Sequence, residues 1–174
     1  MSIVTTEQIN RIAKTEHQAA DGSFSEGSTE HQHAAKYMEE FLLSFDNAEG
    51  RTNEPEYIEF CAAAINALRD IQVRDYVMGI INAENVRTVN KALSNLASVV
   101  PDEYSAPVDT LLALTYYELD DTEAALTILN SVKDYSLATL LTRVFQAGWP
   151  KQAFQQMRDE LHPKVVSVIF GDKE

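Results

Sequence analysis

A chain of 174 residues with a formal charge of −13, 45% hydrophobic and 24% charged residues has the balance of one soluble, ordered domain, long enough to bury about 70% of the surface its unfolded form exposes. Residues 1–50 carry 3 basic and 9 acidic groups, 51–100 carry 5 and 6, and 101–174 carry 6 and 12, so no stretch offers the clustered Lys and Arg that phosphate backbones or anionic membranes require. The lone cysteine, Cys61, the absence of a signal-peptide pattern in MSIVTTEQ and the lack of a long apolar run lead us to expect a cytoplasmic protein without a membrane partner.

Helical spacing of apolar residues begins at once. Thr5 or Thr6 can cap a helix over TEQINRIAKTEHQAA, with Ile9, Ile12 and Ala13 on one face, and DGSFSEGS then reads as a loop. Ser28 or Thr29 caps a second helix, with Gln32 three residues after Thr29 as in a capping box and Tyr37, Met38, Phe41, Leu42 and Phe45 as its buried stripe. In EPEYIEFCAAAINAL, Asn53 is the expected N-cap, Pro55 lies in the first turn, and Tyr57, Cys61, Ala64, Ile65 and Leu68 share a face as far as about RDIQ. RDYVMGII reads as a shorter helix weakened by Gly79. In NVRTVNKALSNLASVV the residues Val86, Val89, Leu93, Leu96 and Val100 form one clear helical stripe.

The two prolines of PDEYSAP break the chain and start a new unit. Helices are expected from Ser105 to about Glu118, then to about Lys133, then to Ala147, separated by LDDT and DYS, with a fourth opening at Pro150 after Gly148 as C′ residue. PKVVSVIFGDKE breaks the pattern: VVSVIF favours extended structure, so an extended tail docked on the last helix is expected over 163–174, with a strand given to another copy or a partner, or a final helical turn, as the alternatives. The organisation is therefore an acidic N-terminal helical hairpin (1–50), a helical core (51–162) and that tail, in one folded unit.

Chemistry has few places to hide. His17, His31 and His33 lie in TEHQAADGSFSEGSTEHQHAA, but residues two apart on a helix point about 200° away from each other, whereas a zinc site needs three or four ligands converging at about 2 Å. There is no GxSxG, Cys61 has no neighbouring histidine, and Gly22 and Gly27 lack the context of a phosphate loop. The carboxylate pairs Glu39/Glu40, Asp102/Glu103 and Asp120/Asp121 fall on expected solvated faces and turns. Neither a cofactor nor an enzyme activity is expected.

The stretch APVDTLLALTYYELDDTEAALTILNSV fits the helical-hairpin template of tetratricopeptide repeats at Ala113, Tyr116, Ala125, Leu129 and Val132; it lacks the template's aromatic at Asp109 and its closing proline. Further, ALRDIQVRDYVMG, VPDEYSAPVDTLLALTYYELDDTEAAL and DYSLATLLTRVFQAGWP resemble, in that order, the C-terminal half of the actinobacterial domain-of-unknown-function family 4192 over about residues 56–155. The family's N-terminal α/β portion has no counterpart here, and Trp149 precedes a single proline; both departures suggest a short stand-alone version carried by a phage or mobile element. The resemblance implies a helical fold and no activity.

The reading is an all-α, single-domain stack of about eight short antiparallel helices, tetratricopeptide-like in its second half. Its expected role is non-enzymatic binding of a protein partner, as an adaptor or inhibitor, with Tyr104, Tyr117 and Trp149 as exposed contact residues and homodimerisation through an uncovered helical face as a companion possibility. Two alternatives stay open: an acidic nucleic-acid mimic that inhibits a nucleic-acid-binding protein without itself binding nucleic acid, and a small metal-dependent enzyme using His31 and His33.

Overall fold

The computed structural model describes residues 3–172. Among them are ten α-helices and no strand, against about eight helices expected. They are α1 (Thr6–Thr15), α2 (Thr29–Leu43), the single-turn α3 (Phe45–Ala48), α4 (Pro55–Ala67), α5 (Ile71–Ile80), α6 (Val86–Val99), α7 (Ser105–Glu118), α8 (Thr122–Asn130), α9 (Ser136–Gln146) and α10 (Lys151–Phe170).

Local chemistry explains most boundaries. The Thr5 hydroxyl accepts from the Gln8 amide at 3.2 Å while the Gln8 side chain accepts from the Thr5 amide at 2.8 Å, a complete capping box. Ser28, rather than Thr29, caps α2 by accepting from the His31 amide at 3.1 Å, and Gln32 turns back to the Gly27 carbonyl instead of closing a box. α4 starts one residue later than expected, after Glu54, with Pro55 in its first turn. Between α5 and α6 the Asn82 side chain accepts from the amides of Glu84 and Asn85, the local bonding that makes asparagine a turn former.

α1 packs on α4, α2 on α4, α5 and α6, and from α6 onward each helix packs on the next through α9. One apolar core runs from Val4 to Phe154. The α7–α8 hairpin behaves as its repeat-like residues require: Ala113 and Ala125 are fully buried, which lets two helices approach closely, and Leu129 lies buried beside them. Asp120 closes the turn at φ +65°, and the Asp121 amide reaches back to the Tyr116 carbonyl at 2.9 Å, a Schellman-type ending.

The tail departs from expectation. Residues 163–170, VVSVIF included, continue α10, which runs 20 residues with Pro163 inside it and ends at Gly171, φ +81°. β-branched residues are only weakly disfavoured in helices, so burial overrides propensity. Ile169 is fully buried against Ala35 of α2 and Tyr76 of α5, with Val165, Val166 and Phe170 packed around them. Gly79 is needed for the same docking: a Cβ there would collide with the His162 ring. The residue that weakens α5 locally is the one that admits α10.

After the turn at Gly148, α10 meets α9 where Phe154 lies edge-on to Phe145 at 5.9 Å, then takes its close packing from α5 and α2. The last two helices therefore do not close as another repeat hairpin.

Candidate functional site

Tyr104, Tyr117 and Trp149 do not share a surface. Tyr117 is a core residue, 7% exposed. Its ring stacks on Phe145 at 4.0 Å and lies edge-on to Phe154 at 6.1 Å, and its hydroxyl donates to the Trp149 carbonyl. The expectation of an exposed Tyr117 is thus corrected, because α9 and the start of α10 fold over it. Trp149 remains exposed on the α9–α10 turn. Tyr104 is half-buried elsewhere, under the Arg69 guanidinium at 4.9 Å, with its hydroxyl donating to Asn10 at 3.2 Å.

The histidines separate as well. His17 is exposed at the end of α1, with φ +55° and Nδ1 3.7 Å from Glu30; His33 is exposed on α2. His31 is fully buried. Its Nδ1 accepts from the Gly27 amide at 3.1 Å, which leaves the proton on Nε2, 3.3 Å from Asp70 Oδ1. Asp70 also accepts from the amides of Phe24 at 2.8 Å and Val73 at 2.9 Å. Burial alone would raise this carboxyl; the imidazole of His31 beside it and the hydrogen bonds from the two amides outweigh burial and hold the group below the ordinary carboxylate value.

The buried pair thus caps α5 and pins the Gly22–Gly27 loop. With Nδ1 occupied by an amide, His31 has no free lone pair for base chemistry. His31 faces the core and His33 solvent, so the two do not converge on an ion, and among the described residues no three His, Cys, Asp or Glu side chains are grouped to hold one. Cys61 is buried, and burial pushes its thiol up to about 12, offset only in part by the Tyr57 hydroxyl; it is no activated nucleophile.

A cluster that the sequence reading did not single out does form. Along α2, His33, Tyr37 and Phe41 succeed one another at the i, i+4 spacing with centroids 6.3 and 6.1 Å apart, and Tyr57 of α4 extends the row 6.0 Å from Phe41 at an interplanar angle of 22°. The Tyr37 hydroxyl donates to the Phe60 carbonyl at 2.9 Å, which fixes α2 on α4. Beside the row lies a cleft of about 360 Å³ whose lining includes Phe45, Phe60, Glu40 and the Arg51–Glu54 ion pair.

On the other side of α2 lies an open depression of about 750 Å³ toward the end of α10, lined by Lys36, Leu43, Tyr76, Val166 and Phe170. Tyr76 donates to Glu39 at 2.6 Å and Lys36 sits 5.5 Å above the Phe170 ring. Glu40, Ser44 and Asn47 line both hollows and form a polar ridge between them. Leu43 is 42% exposed and Phe60 43%. Tyr37 and Phe41 stood in the predicted buried stripe, so the signal was present; what periodicity could not give was that part of the stripe faces a cleft.

The family model described as Domain of unknown function (DUF4192) matches residues 3–152. The chain belongs to this family. The match takes in the N-terminal hairpin that the resemblance over 56–155 had left out, and it stops at the start of α10, so most of that helix lies beyond the matched span of this DUF4192 protein. No curated protein and no solved structure matches the chain. The two RD pairs of ALRDIQVRD have structural roles here. Arg69 donates to the Ala20 carbonyl at 3.1 Å beside the Asp70 pin, and Arg74 bonds both Asp75 and the Tyr135 hydroxyl, which ties α5 to the start of α9. No helix among the described residues is long and apolar enough to cross a membrane.

Proposed function

We propose that this DUF4192 protein is a non-enzymatic interaction module, an adaptor or inhibitor that binds another protein through the α2 face. The observation that carries the reading is the pair of hollows flanking α2, joined by the Glu40–Ser44–Asn47 ridge and lipped by exposed Phe60 and Leu43. Aromatic walls with a few polar groups are the composition that supplies contact energy at interfaces. The carboxylates Glu39, Glu40 and Glu54 against Lys36 and Arg51 give the face an acidic bias, which suits a partner presenting apolar and basic side chains. The reading includes no cofactor, no direct nucleic-acid binding and a cytoplasmic location, where a single buried cysteine fits a reducing compartment.

Chemical cross-linking from position 44 tests it, using a photoreactive residue in place of Ser44 and identifying the captured protein. The captured partner is then purified and its affinity measured against wild type and the Phe60→Ala, Leu43→Ala double variant. A loss of about tenfold or more is expected, as for interface anchors. Equal affinities would remove the α2 face from the proposal, and a partner retained only at low salt would favour nucleic-acid mimicry instead.

A further inference from the structure

Because α10 turns away from α9 after Phe154, the two helices leave a groove over α5 that nothing in the fold fills. Its volume is about 330 Å³. The floor is made by Leu137, Leu141 and Phe154, all buried, and Leu140 of α9 and Leu161 of α10 stand on its walls at 50% and 45% exposure. Two large aliphatic side chains held half in water beside an apolar floor are an unsatisfied surface in a monomer. A shallower depression that shares Leu140 continues the groove along α9 to Arg143.

The charge of this groove runs against that of the molecule. In a chain of −13 its lining carries Arg74, Arg158 and Lys164 against one carboxylate, Asp75, while burial lowers the basicity of the His162 ring beside them. Arg74 already holds Asp75 at 2.8 Å, and Arg158 holds Glu118 and the Met78 carbonyl at the end of α5. Lys164 on one wall and Arg143 at the far end are exposed and have no ion-pair partner among the described residues. Asp134, Asp159 and Glu39 are the other nearby acids, the first lining the extension toward Arg143, the second adjoining Arg158 on α10 and the third acting on His162 from α2. Arg158 Nε and His162 Nδ1 are buried without hydrogen-bond partners, which marks the wall as incompletely satisfied.

We propose that this groove docks an acidic amphipathic helix of a partner protein, apolar face on Leu140 and Leu161 and carboxylates toward Lys164 and Arg143. Helical walls that part to expose an apolar floor accept a further helix by the same ridge-and-groove packing that orders the rest of the fold. Charge selects the partner's sign, since opposite potentials favour encounter and like charges are rejected. The site is distinct from the α2 face. With both occupied, the protein bridges an apolar, basic surface and an acidic helix.

The test uses a fluorescein-labelled peptide of about 18 residues, five turns of helix, with Leu at i, i+3, i+7 and i+10 and Glu on the remaining face. Its controls are the same peptide with Lys for Glu and a scrambled Glu peptide lacking the stripe. Fluorescence anisotropy with the full chain should show the acidic amphipath binding at least about tenfold tighter than either control. Leu140→Glu with Leu161→Glu should abolish that preference, and Lys164→Glu should weaken it by about threefold. Both leucines are substantially exposed, so far-ultraviolet circular dichroism should report an unchanged fold.

Phe60→Ala should leave peptide binding intact, which separates failure here from failure at the α2 face. Equal binding of the acidic and basic peptides, no binding of either, or indifference to the leucine substitutions would overturn the proposal. So would a concentration-dependent dimer lost in Leu140→Glu, because the occupant would then be a second copy.

Discussion

The loop between α1 and α2 and the α7–α8 hairpin are held by opposite means. The loop has little apolar area to bury and is tied down by hydrogen bonds to distant residues: Asp70 to the Phe24 amide, Arg69 to the Ala20 carbonyl, and Asn66 to Gln18. The hairpin is held chiefly by side-chain fit, with Leu111, Ala113, Leu114 and Ala125 all fully buried; its polar ties, Glu118 to Arg158 and Tyr117 to the Trp149 carbonyl, gather at the C-terminal end of α7. Apolar burial is non-directional and spreads damage through a core, whereas a buried carboxylate with three partners concentrates stability at one point. The first kind of region should fail globally and the second locally.

Leu111→Ala should show the larger effect. A cavity under a fully buried leucine costs about 3–4 kcal/mol, a large share of a typical total stability of about 5–15 kcal/mol, and the loss should appear as one lowered denaturation midpoint across all probes. If α1 and α2 stayed protected while α7 and α8 unfolded first, the two regions would be separate cooperative units.

Asp70→Asn should cost less, about 2 kcal/mol, because the two backbone amides bond different oxygens of the carboxylate and an amide has only one oxygen to offer. Hydrogen exchange would locate the cost: the amides of Phe24 and Gly27 should lose protection while those of α7 and α8 keep it. The pH dependence follows from the sign of the shift. The folded carboxyl lies below its ordinary value of 3.8, so its stabilisation is complete at neutral pH and is lost as pH falls through the folded value. Wild type should therefore shed loop protection in strong acid, and the Asn variant should lack that step. Uniform loss of protection in the variant would erase the distinction between the regions.

Tyr117→Phe should have the smallest effect, about 1 kcal/mol, since it removes the bond to the Trp149 carbonyl and keeps the stack on Phe145. Thermal denaturation would register a small shift. A change as large as that of Leu111→Ala would mean that the α9–α10 turn is polar-tied like the loop.

Sequence by itself determined the helical class, most helix boundaries and the α7–α8 hairpin. These depend on signals within about one or two turns of helix: apolar residues at i, i+3 and i+4, Thr5 with Gln8, Gly148 before Pro150, Ala113 opposite Ala125. It gave no sight of the hollows beside α2 or the groove over α5. Tyr117 and Phe41 both read as apolar-stripe or exposed aromatics, and only the arrangement of neighbours decides which is sealed by α9 and α10 and which lines a cleft. Tertiary structure alone paired His31 with Asp70 across the chain, turned VVSVIF into helix by burying Ile169, and set α10 on α5 through Gly79. Such outcomes depend on contacts between residues tens of positions apart, where burial outweighs the few tenths of a kcal/mol per residue by which local propensities differ.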